Sequence, residues 1–277
     1  MISFFCRTSY IGKCHSRHDP NSAARRLSSR IRAEEMSAYL GAKLNPTEGY
    51  ENDVCIHIKP RDFTNVRDGD YIDFLDGEFR DSRLAARPKI KVIAASQCSY
   101  EYMKARLPNE IILIPSHHVN FERIKRDREG LTVGGYLGVP SNEAFQRFGE
   151  IKEKLKEGGI DFITFYYFKT RQDAIDFYKK IDVFIHGDWD FPINHPYRIP
   201  TKIINAASFG IPSVAAPIMG NKEVEGYYLH ASNIEEMLAQ VEKLKDENFY
   251  NEFSKKIVEM AEKYHISKIA ELYRQLT

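Results

Sequence analysis

Between residues 198 and 217 the chain gathers charge, a hydroxyl and a helix start in a form suited to holding an anion. Arg198, Thr201 and Lys202 lie close together, and Pro200 between them suits a first helical turn. A helix beginning there presents unpaired backbone N–H groups and the positive end of its dipole. A diphosphate at that point would meet two cations, a hydroxyl and those donors. Taken alone, such a cluster is more often a solvated helix start than a binding site. The small residues Ala206, Ala207, Ser208 and Gly210 that follow let the helix lie close against a sheet.

Two loops add polar groups. Residues 187–196 carry Asp188, Asp190, Asn194 and His195, which suit sugar hydroxyls, and Trp189, which offers an apolar wall. A second loop, after the first apolar run, holds Gly12, His15, Arg17, His18 and Asp19. His18 with Asp19 is the acid/base candidate, since an imidazole titrates near neutrality. Cys6, Cys14, His15 and His18 match no standard zinc spacing, so no metal site is expected there. His57 and Lys59 close one strand, while Asp73 and Asp76 close another, where carboxylates serve as turn-formers.

The elements that must position these groups alternate between strand and helix. Apolar runs at 2–6, 53–59, 70–75, 91–95 and 110–114 read as strands, with helices predicted at about 22–40 and 98–107. A polar segment, 116–130, interrupts the rhythm and reads as a link. Strands follow at 131–138, 162–167, 181–186, 212–216 and 227–229. Helices are predicted between them at about 142–156, 172–180 and 201–209, and at the end at about 234–244, 247–263 and 266–275. Strands separated by such helices imply parallel sheets with right-handed crossovers. The fold class is therefore α/β, with two Rossmann-like, doubly wound parallel-sheet lobes facing a cleft. The division is expected at 1–118 and 119–277, the last helix returning to the N-terminal lobe.

Composition sets the outer limits. The 277 residues are 43% apolar and 29% charged, which supports a real core. A net charge of +1 gives no global pull toward nucleic acid, so none is expected as a partner. Seven Lys/Arg against one acid between Arg7 and Arg32 form a local exception. That stretch suits an anionic acceptor or peripheral contact with an anionic membrane face. No apolar run reaches the roughly 20 residues of a membrane helix, and the opening run is too short for a signal peptide. The chain is read as cytoplasmic, with its four cysteines as free thiols.

The segment Pro200-Thr-Lys-Ile-Ile-Asn-Ala-Ala-Ser-Phe-Gly-Ile-Pro-Ser-Val-Ala215 resembles the donor-site helix of GT-B glycosyltransferases. The pattern in the family-four (group 1) members reads Pro-Thr-Lys, two hydrophobics, Glu-Ala-Met-Ala-x-Gly-x-Pro-Val-Val-Ala. The turn at Gly220-Asn221 and the Tyr136-Leu137-Gly138 element fit the same lobe. The resemblance covers about 131–277 well, 70–130 weakly, and 1–60 only at the level of fold. It implies transfer of a sugar from a nucleotide diphospho-sugar to an acceptor hydroxyl of a glycan or a lipid-linked molecule, with no cofactor and no metal. It places Gly138, Asp188, Tyr197, Arg198, Thr201, Lys202 and Asn205 around the donor, and His18 and Asp19 at the acceptor. The chain departs from the pattern where the family has two glutamates eight apart: Tyr197 and Asn205 stand there. The implied role of Asn205 is a hydrogen bond to the donor ribose. Asp188-Trp-Asp190 also resembles the metal-binding Asp-x-Asp of the other glycosyltransferase fold, which has one mixed sheet. Two alternatives stay open: a nucleotide-sugar epimerase on the same scaffold, and a non-catalytic GT-B-like binding protein.

Overall fold

A computed structural model describes residues 1–6, 28–60, 62–75, 81–126, 130–138, 142–166, 168, 170–186 and 198–277. They group into two compact units, Met1–His117 with Ile266–Thr277, and His118–Asn194 with Pro200–His265; the short stretch carrying Arg198 groups with the first.

The first unit contains β1 (Ile2–Cys6), α1 (Ser28–Leu40), β2 (Lys43–Leu44), β3 (Val54–Ile58), β4 (Tyr71–Asp73), α2 (Asp81–Ala85), β5 (Lys91–Ala94), α3 (Gln97–Lys104) and β6 (Ile111–Leu113). Its strands form one parallel sheet in the order β2-β1-β3-β4-β5-β6. Cys55, Ile56, Ile58, Ile72, Val92 and Ile93 are buried. That continuous apolar character is expected of parallel strands covered on both faces. The chain steps from β1 to β2 on one side and returns to β3 on the other, so the strand order reverses between β1 and β3. The two-residue β2 and the one-turn α2 are too short to show a period and were not predicted.

Arg32 corrects one sequence expectation. Counted among the surface cations of the basic stretch, it is instead 2% exposed. Its Nε donates to Asp73 at 2.5 Å, and its Nη atoms donate to the carbonyls of Ile114 at 2.7 Å and Pro115 at 2.8 Å. Tyr273, on the C-terminal helix, places its ring 5.5 Å from the guanidinium and packs edge-on against Phe4. This charge is consumed inside the unit and is unavailable to an anionic partner. Asp73 also accepts the Leu75 N–H at 2.9 Å, the turn-forming role read from sequence.

The second unit contains β7 (Val133–Leu137), α4 (Asn142–Glu157), β8 (Asp161–Phe165), α5 (Arg171–Tyr178), β9 (Val183–Ile185), α6 (Thr201–Ser208), β10 (Ser213–Ala215), β11 (Leu229–His230), α7 (Ile234–Lys243) and α8 (Glu247–Ala261). The C-terminal helix of the first unit is α9 (Ile266–Arg274). The second sheet is parallel, in the order β11-β10-β9-β7-β8, and reverses between β7 and β9. Phe148, Ile151 and Leu155 recur at helical spacing on α4 and are buried. At Gly135 an added Cβ would stand 2.4 Å from Ile181 Cγ2 and 2.9 Å from Phe177 Cζ, so only glycine lets α5 lie this close to β7.

The polar segment read as a link is built into the second unit from His118 onward. His118 and Asn120 are buried. The Asn120 amide donates to the Ile124 and Ser208 carbonyls, both at 2.8 Å. Its polarity supplies the hydrogen bonds that helix or strand would otherwise provide.

Candidate functional site

Ligands of open α/β sheets bind beyond the C-terminal ends of strands, where the strand order reverses. In the second unit that point lies at the ends of β7 and β9, which are followed by Gly138 and His186. Gly138 has φ +124°, a conformation side chains rarely adopt, and its N–H donates to the Phe165 carbonyl at 3.0 Å. A Cβ there would lie 3.2 Å from Lys202 Cε and 3.6 Å from Nζ, so the turn and the Lys202 side chain touch.

The start of α6 differs from the starts of α3, α5, α7 and α8. α3 and α5 open with capping boxes, at Ser96 with Ser99 and at Thr170 with Asp173. Asn233 and Asp246 cap α7 and α8. α6 opens at Pro200 with no side-chain cap. Its first-turn N–H groups therefore take no hydrogen bond from a cap. The Thr201 Oγ1 beside them is shut off from solvent and has no hydrogen-bond partner among the described residues. Lys202 Nζ donates to the Tyr136 hydroxyl at 2.5 Å and stands 4.3 Å from the centre of that ring. An ammonium, a hydroxyl and helix N–H groups thus sit together at the reversal point, a combination that attracts an anion.

Asn205 lies one turn further along α6, 7% exposed. Its Oδ1 accepts the Val119 N–H at 3.0 Å. The amide carbonyl thus holds the chain that enters the second unit, whereas the resemblance implies a ribose hydroxyl as its partner. Tyr178 is fully buried near it, and burial pushes that phenol above its ordinary range.

Of the residues singled out by sequence, Gly138, Thr201 and Lys202 come together here. Arg198 is half-buried and groups with the first unit. His18, Asp19, Asp188 and Tyr197 lie outside the described residues, as do Asp76, Trp189, Asp190, Asn194 and His195. Two residues at the site were legible only as strand positions. Tyr136 is fully buried, and His186 lies edge-on to it with ring centres 6.3 Å apart. In a run dominated by apolar residues their polar ends give no periodic signal. Among the described residues no group of three His, Cys, Asp or Glu is placed to hold a metal ion, and no helix is long and apolar enough to cross a membrane.

Two parallel sheets flanked by helices, each reversing its strand order once, match the GT-B fold class expected from the sequence. Comparison with solved structures agrees. HepE of Anabaena in complex with UDP-glucose superposes with a TM-score of 0.62 at 11% identity, covering 100% of this chain and 99% of that one. A TarM variant of S. aureus in complex with Fondaparinux, alpha-GlcNAc-glycerol and UDP gives 0.56 at 18% identity, over 80% of this chain and 55% of that one. The chain therefore spans about half the length of TarM. No protein-family model and no curated protein sequence matches it.

Proposed function

We propose that the chain transfers a glycosyl group from a nucleotide diphospho-sugar to an acceptor hydroxyl. The observation that carries this reading is the convergence of Gly138, Thr201 and Lys202 on the uncapped start of α6, at the strand-order reversal of the second sheet. Support comes from HepE and TarM, whose structures of similar fold hold UDP-glucose and UDP.

In this reading the helix N–H groups, Lys202 and Arg198 stabilise the leaving diphosphate, and catalysis is mainly electrostatic. Gly138 lets the backbone approach a phosphate. Thr201 donates its hydroxyl, and Asp188 and Tyr197 complete the proposed donor-binding set. Asn205 Oδ1 already accepts the Val119 N–H, so the contact with the donor ribose falls to its amide Nδ2. If the configuration at the anomeric carbon inverts, His18 or Asp19 takes the acceptor proton. If it is retained, the leaving phosphate takes that role. The acceptor is a glycan or a lipid-linked molecule, the reaction needs no metal or cofactor, and it takes place in the cytoplasm.

A thermal-shift screen of nucleoside diphosphates and their sugars tests this, because a ligand that binds only the folded state raises the melting point. Stabilisation by a nucleoside diphosphate, followed by sugar transfer to an added acceptor, is the expected result. Sugar turnover with no acceptor present would instead mark an epimerase. No stabilisation by any of the panel would overturn the donor site.

A further inference from the structure

We propose that Tyr136 is a positioning residue for Lys202: a rigid aromatic strut that holds the ammonium ready for a diphosphate before the ligand arrives. The inference rests on the donor-site reading given above.

Tyr136 is buried within the second unit and is held from several sides. The Phe148 ring lies 4.7 Å from it, Phe184 is stacked at 5.9 Å, and His186 is edge-on at 6.3 Å. These neighbours come from α4, from β9 and from the residue that follows β9. Phenylalanine would fill the same space, so packing does not account for the hydroxyl. That hydroxyl accepts a hydrogen bond from Lys202 Nζ at 2.5 Å, while the ring lies 4.3 Å from the same nitrogen. Taken together, the two distances place the ammonium at the hydroxyl edge of the ring, in the direction of the oxygen lone pairs, so the hydroxyl gives the contact its direction.

Lysine is the side chain for which such a strut matters most. Its ammonium is a point charge on a flexible four-carbon stem, and it loses much rotamer freedom when it is immobilised. Here a hydrogen bond to one rigid residue holds it, and the Gly138 turn closes on its last carbon. The ammonium is therefore oriented before the ligand arrives. The lysine and the turn were legible as donor-site residues, but the residue that orients the lysine sits in the middle of a strand on a different element.

A double-mutant cycle separates this role from packing. Affinities for UDP, ADP and GDP are measured by calorimetry for wild type, Tyr136→Phe, Lys202→Ala and the double variant, with melting curves for each. The tightest nucleotide for wild type is carried through the cycle. Tyr136→Phe is expected to weaken it about tenfold in wild type, as loss of a hydrogen bond to a charged group would. In the Lys202→Ala background the same change is expected to have less than about a twofold effect, because the hydroxyl then has no ammonium to orient. Equal loss in both backgrounds, or no loss in wild type, overturns the positioning role and leaves the donor site standing. If wild type binds none of the three, or Lys202→Ala binds as wild type does, the donor-site reading falls and this inference falls with it.

Discussion

The two ends of the second sheet handle charge in opposite ways. At the N-terminal end of β9, Asp182 is fully buried and saturated. Its Oδ2 accepts the N–H groups of Thr132 and Val133 at 2.7 and 2.8 Å and the Thr132 hydroxyl at 3.0 Å. Its Oδ1 accepts Arg126 Nε at 3.1 Å and Nη2 at 2.8 Å. The ring of Tyr250 stands 4.9 Å from the Arg126 guanidinium, and its hydroxyl donates to the Asp182 carbonyl at 2.7 Å. At the C-terminal end, Lys202 is only partly buried, α6 has no side-chain cap, and the Thr201 hydroxyl has no partner among the described residues. Both ends are polar and both carry a cation close to an aromatic ring. Among the described residues, polar satisfaction, more than charge or burial, separates the structural cluster from the candidate binding one.

The sharpest way to break this comparison is to remove Asp182. Asp182→Ala leaves Arg126 and two N–H groups without their partner, and is expected to cost about 3–5 kcal/mol in urea unfolding. Nucleotide affinity of the folded fraction should not change. A cost below about 1 kcal/mol would show that the two ends are alike.

At the other end the order of effects should invert. Lys202→Ala takes a hydrogen-bond donor from the buried Tyr136 hydroxyl and is expected to cost about 1 kcal/mol of unfolding stability, well below Asp182→Ala. It should cost about 1.5–3 kcal/mol in nucleoside-diphosphate binding by calorimetry. A large stability loss with unchanged affinity would make Lys202 structural.

Gly138→Ala should show both kinds of effect. The left-handed backbone at φ +124° makes a side chain strained, at about 1–3 kcal/mol of stability. The new Cβ would also press on Lys202 Cε at 3.2 Å, so affinity should fall with stability. Full stability in the alanine variant would show that the turn can relax.

Thr201→Val gives the smallest and most diagnostic shift. In the absence of ligand it removes a buried hydroxyl without a described partner, so stability should hold or rise by up to about 1 kcal/mol. With nucleotide bound it should cost about 0.5–1.5 kcal/mol of affinity, the net worth of one hydrogen bond. A stability loss would place an internal partner on that hydroxyl.

The basic stretch shows where composition stops being informative. A count of cations treats Arg32 like its neighbours, yet Arg32 is closed off by Asp73, Ile114, Pro115 and Tyr273. Two of those partners lie more than 80 positions away, and Tyr273 is further still. The polar segment at 116–130 taught the same lesson. Its residues read as a tether because they lack apolar character, but Asn120 satisfies backbone at Ile124 and Ser208 from a buried position.

The sequence by itself determined what is local and periodic. Buried parallel strands read as apolar runs and covering helices as 3.6-residue repeats, so the alternation and the α/β class were visible without coordinates. The start of α6 was visible too, because proline, threonine, lysine and the small residues behind them are contiguous. Tertiary structure alone decided which polar groups were already in use. It turned Arg32 inward, gave the Asn205 carbonyl to Val119, and stood Tyr136 under Lys202 across 66 positions of chain. The reason is physical: a side chain's type sets what it can bond, but only the packed fold decides which of its partners come within 3 Å.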